Sequence, residues 1–72
     1  MGKENLEKRL SNTILAKSHL LKIKTNPQLI LLYMNTRKIP HVYDAIREID
    51  LELEILESKE KLLVKKLKEV KE

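Results

Sequence analysis

From Val42 onward the chain places aliphatic side chains at an alternating spacing of four and three: Val42, Ile46, Ile49, Leu53, Leu56, Glu60, Leu63, Leu67 and Val70. Eight of these nine positions are aliphatic, and neither Gly nor Pro interrupts the run. That spacing holds a single seam on one side of an α-helix, the a and d positions of a coiled coil, which are buried against another helix. It predicts one long helix over about residues 40–71, roughly 45 Å at 1.5 Å per residue. With only 72 residues, the chain forms a single domain whose core supplies about 3–5 kcal/mol unless something is added to it. No Cys is present, so disulfides are excluded and a second copy is the expected cover for the rod.

Composition agrees with a helical bundle. Ile, Leu and Val make up one third of the residues, Phe and Trp are absent, and the single Gly lies at position 2. Sheet proteins and disordered tails have other compositions. Leu29 to Met34 is the longest apolar run, far shorter than the roughly 20 residues that span a bilayer, so no membrane span is expected. The N-terminal stretch has no apolar secretory core, which leads us to expect an intracellular, cytoplasmic protein.

Ahead of the long helix, Leu6, Leu10, Ile14, Leu20 and Leu21 mark an amphipathic helix over about residues 4–24, with the basic residues mostly off the stripe. Asn26-Pro27 then supplies an N-cap and a first helical residue. A second helix follows over about residues 27–35, apolar nearly all round and expected to be buried on more than one side. Pro40 is expected to start the third helix. The fold class is therefore all-α: two shorter N-terminal helices and one long C-terminal helix, assembling as an antiparallel coiled-coil or helical-bundle homodimer.

Orientation follows from charge. Residues 1–38 carry eight basic and two acidic side chains, residues 39–57 carry Arg47 against six carboxylates, and residues 58–72 are net +3. A parallel dimer sets Glu52 against Glu57 and Lys66 against Lys71. An antiparallel dimer centred near Ser58 lays the acidic half of one long helix along the basic half of the other, with the nine seam residues as its dimerisation face. Glu60 is the polar seam residue, expected to set register or to stand half-exposed beside the dimer axis. The basic first helix is also able to pair with the acidic stretch inside one chain. Leu51, Ile55 and Leu62 form a second apolar stripe, on which the first or second helix is expected to pack; the sharper alternative is a groove for a partner helix.

Chemistry-bearing constellations are missing. His19 and His41 sit on different elements without metal-ligand spacing, and one terminal Gly permits no phosphate-binding loop. We expect neither a cofactor nor an enzyme. Recognition remains: no carboxylate occurs from Lys8 through Tyr43, and Lys8, Arg9, Lys17, Lys22, Lys24, Arg37 and Lys38 offer a surface for phosphates.

The stretch Ile39-Pro40-His41-Val42-Tyr43-Asp44-Ala45-Ile46-Arg47-Glu48-Ile49 resembles the recognition helix of winged-helix transcription regulators. That resemblance implies that His41, Tyr43 and Arg47 approach the major groove. It departs at Leu32 and Thr36, where such motifs carry a small residue and a Gly. The expected function is thus a small homodimeric nucleic-acid-binding regulator, with DNA as the expected nucleic acid, contacting phosphates through the basic N-terminal helix and turn. The alternative is an adaptor similar in architecture to the Rop-type dimeric helical hairpin, binding protein without direct nucleic-acid contact.

Overall fold

A computed structural model describes residues 2–70. Three helices follow one another: α1 (Lys3–Lys24), α2 (Pro27–Arg37) and α3 (Val42–Glu69). They form a rod of 49 × 18 × 15 Å. The expected all-helical order is present, and no strand occurs among the described residues; the expected end of the long helix at residue 71 lies outside them.

The two breaks have identifiable causes. Thr25 ends α1, and Asn26, in extended backbone, accepts a 3.0 Å hydrogen bond from the Gln28 N–H ahead of Pro27, which satisfies one orphan donor of the new helix. α2 runs on to Arg37, past the expected stop at Asn35. It closes in a Schellman turn: Lys38 is left-handed (φ 57, ψ 44), its N–H donates to Asn35 O, and the Ile39 N–H donates to Met34 O at 2.9 Å. Pro40 does not open α3. The first helical bonds accept at the His41 carbonyl, from Asp44 and Ala45 at 3.1 and 3.2 Å, so α3 starts at Val42 and Pro40 stays in the link.

α1 returns antiparallel along α3, fixed at successive levels by Lys24 beside Asp50 and Lys17 beside Glu60. α2 wedges against both at the connected end, where Leu20, Ile23, Ile30, Tyr33, Ala45 and Ile49 form the core, backed by Leu29, Met34, Ile39, Ile46, Leu53 and Leu56. Ala45 and Ile49 are fully buried.

The seam of α3 is therefore occupied within the chain. Ile49 and Leu63 are buried, Ile46, Leu53, Leu56, Glu60, Leu67 and Val70 are half-buried, and Val42 is exposed. The second stripe is only partly covered: Leu51, Ile55 and Leu62 are 53%, 57% and 52% exposed, Ile55 and Leu62 standing at the edge of the groove beside α1. On α1 the core face is Leu6, Leu10, Thr13, Lys17, Leu20 and Ile23, while Ile14 and Leu21 turn outward. Thr13 tolerates burial because its hydroxyl donates to Arg9 O at 2.8 Å. On α2 only Ile30 and Tyr33 are buried, and Leu31 and Leu32 face outward.

Candidate nucleic-acid interface and apolar flank

Ion pairing inside the chain divides the basic residues into two groups. Lys17 Nζ lies 2.6 Å from Glu60 Oε1, Lys24 Nζ 2.6 Å from Asp50 Oδ1, and Arg37 Nη1 3.3 Å from Glu52 Oε1. Arg47 stands 3.9 Å from Asp44 one helical turn away. The intrachain pairing of basic α1 with acidic α3 is thus present. Glu52 also accepts from the Tyr33 hydroxyl at 3.0 Å, and the Arg37 guanidinium sits 4.6 Å from the centre of the Tyr33 ring, so one carboxylate ties α2 to α3 through a phenol and a stacked cation.

Two groups titrate away from their ordinary values. The hydrogen bond to Glu60 stabilises the charged form of Lys17 and raises its pKa, against a smaller opposing effect of burial. Burial, followed by the hydrogen bond to Glu52, pushes the Tyr33 phenol up to about 12.

The candidate phosphate-binding residues do not gather on one face. Lys17, Lys24 and Arg37 are engaged as described. Lys22 points outward from α1, and Lys38 occupies the α2–α3 turn. His41 caps α3 by its backbone alone, Tyr43 is 79% exposed, and Arg47 is exposed beside Asp44. Of the segment resembling a recognition helix, residues 39–41 belong to the α2–α3 link and residues 42–49 form the first turns of α3, with Ala45 and Ile49 buried in the core.

Lys8 and Arg9 behave differently, because antiparallel packing carries the start of α1 to the end of α3. That end is rich in lysine: Lys59, Lys61, Lys65, Lys66 and Lys68. An open cleft of about 420 Å³ separates the two helices there, floored by Thr13, Leu62 and Leu63 and rimmed by Arg9, Asn12, Lys59 and Lys66. Arg9, Lys59 and Lys66 join none of the ion pairs among the described residues. Sequence reasoning registered residues 58–72 as basic but did not join them to Lys8 and Arg9, since only the return of α1 along α3 makes them neighbours.

On the same side, the groove continues past Ala16, His19, Ile55 and Leu56 to Leu29, Leu32 and Tyr33 of α2. α2 fills just one end of it. Among the described residues no group of His, Cys, Asp or Glu is placed to hold a metal ion, and no helix is long and apolar enough to cross a membrane. Comparison with family models, curated proteins and solved structures finds no match to this chain.

Proposed function

We propose that the protein is a homodimeric nucleic-acid-binding regulator, without catalytic activity and acting inside the cell, that holds phosphates on the open end of its α1–α3 hairpin. One observation carries this reading: antiparallel packing gathers Arg9, Lys59 and Lys66 around one cleft, with Lys8 and Lys68 close in the chain, while six of the eight α3 carboxylates, Asp44 to Glu57, precede Ser58 and Glu60 is paired with Lys17. Cations without carboxylate partners exchange their counterions for phosphates, so affinity falls with salt, by about 0.9 log unit per log unit of salt for each duplex phosphate contacted. Lys17, Lys24 and Arg37 contribute less, because each must first leave a carboxylate.

Fluorescence anisotropy with labelled duplex DNA, and with RNA of the same sequence, at about 50 and about 200 mM salt tests the proposal. The expected result is salt-sensitive binding that Arg9→Glu/Lys66→Glu abolishes and Lys24→Gln leaves nearly unchanged. Absence of binding at the lower salt, or binding indifferent to Arg9→Glu/Lys66→Glu, overturns it. The second reading, an adaptor of the Rop-type hairpin kind, is favoured by the exposed Leu32, Ile55 and Leu62 bordering the groove, and it is the one that stands if nucleic acid does not bind.

A further inference from the structure

We infer that two copies of this chain pair α3 against α3, antiparallel, through the outer stripe Leu51, Ile55, Ser58 and Leu62, leaving the heptad seam to α1. This specifies the surface and register of the homodimer in the preceding reading and depends on that part of it alone. Three observations lead here. The seam that a second copy was expected to cover already holds α1. The stripe residues follow the four-three-four spacing of one helix face, and their leucine and isoleucine side chains are all more than half exposed. Finally, the charges bordering the stripe complement themselves under one symmetry only.

A two-fold axis crossing α3 between Leu56 and Glu57 sets Leu51 against the partner's Leu62 and Ile55 against the partner's Ser58. The small hydroxyl leaves room for the branched side chain. One step outward, the same register sets Glu48 against the partner's Lys65, closing the apolar stripe at each end with opposite charges. Along one flank Glu54 lies within a helical turn of the partner's Lys61. A parallel pair with the same stripe instead stacks Glu48 on the partner's Glu48 and Lys65 on the partner's Lys65. Self-complementarity under a two-fold axis is the requirement of an isologous interface, and polar positions bordering an apolar seam commonly fix helix orientation. The less favourable matches, Arg47 with the partner's Lys68 and Asp44 with the partner's Glu69, fall at the two extremities, where Arg47 and Asp44 lie 3.9 Å apart in their own chain.

Glu48 and Lys65 are both exposed, and among the described residues their side chains join none of the hydrogen bonds or ion pairs, so exchanging their charges should leave the fold in place. Sedimentation equilibrium of the full chain at micromolar concentration, without nucleic acid, tests the inference, with circular dichroism confirming helicity of each variant. The parent should be a dimer. Glu48→Lys and Lys65→Glu should each weaken dimerisation roughly tenfold or more, since each converts two symmetry-related attractions into repulsions, and the combined Glu48→Lys/Lys65→Glu should recover it. A helical monomeric parent, a dimer indifferent to the single exchanges, or a double variant that stays dissociated overturns the inference. Because nucleic acid is absent from this measurement and Arg9 and Lys66 are untouched, its failure is separable from failure of phosphate binding.

Discussion

Lys17 Nζ of α1 meets Glu60 Oε1 of α3 at 2.6 Å, and both residues stand at core-facing positions of their helices. Each is the charged interruption of its own seam, so the two meet only when the hairpin closes in this register; a slip of one helical turn parts them. This is the role of a polar seam residue, specificity obtained at some cost in stability. A double-mutant cycle should show Lys17→Leu and Glu60→Leu each destabilising alone, with Lys17→Leu/Glu60→Leu at least as stable as the parent in urea unfolding. Additive single effects would remove the register role.

Ile49 is fully buried where all three helices meet. Truncation to Ala should cost about 2–5 kcal/mol, and to Val about 0.5–1.5 kcal/mol. For a core that supplies about 3–5 kcal/mol in total, Ile49→Ala should leave the chain largely unfolded at room temperature by circular dichroism, whereas Ile49→Val stays folded with a lower urea midpoint.

Lys38 holds the left-handed position of the Schellman turn, φ 57, a position that favours Gly because the Cβ of any other residue crowds the following carbonyl. Lys38→Gly should therefore raise stability by about 0.5–1 kcal/mol, the relief at the turn exceeding the added freedom of the unfolded chain. The urea midpoint measures it, with Lys38→Ala as the control that leaves the strain in place.

Tyr33 carries the alkaline limit of the fold. With its folded pKa raised from 10.0 to about 12, the folded state binds the phenolic proton more tightly than the unfolded chain. Its contribution is fully present below pH 10 and is lost as pH rises toward 12. The raised pKa of Lys17 acts in the same direction above 10.5. Stability measured by urea unfolding should fall across that interval, and the fall should be shallower in Tyr33→Phe. In a Tyr43→Phe background, ultraviolet titration should place ionisation of the remaining phenol near pH 12.

How much of this was legible depends on what each residue needs in order to be read. Asn26-Pro27 announces the start of α2 because capping is local chemistry, and the seam from Val42 to Val70 announces α3 because its period is unbroken. The core face of α1 was less legible. Counting apolar residues favours Ile14 and Leu21, yet Thr13 and Lys17 turn inward, since Lys17 answers Glu60 and Thr13 satisfies its hydroxyl on its own helix. No count of hydrophobic positions on one helix contains the polar residue waiting on another. The cationic cleft stayed hidden for the same reason: Arg9 and Lys66 are distant in sequence and adjacent only once the hairpin is closed.

α2 contains 11 residues against 28 in α3, so the bundle is three helices thick beside the turns and two thick beyond them. Within one chain, amides in the first turns of α1 and the last turns of α3 have no third helix beside them and should exchange with solvent well before those around Ile49. The lysine-rich extremity should therefore open more readily than the three-helix end, and on the proposed function that would let it adjust its spacing to a phosphate backbone while the opposite extremity keeps the hairpin shut.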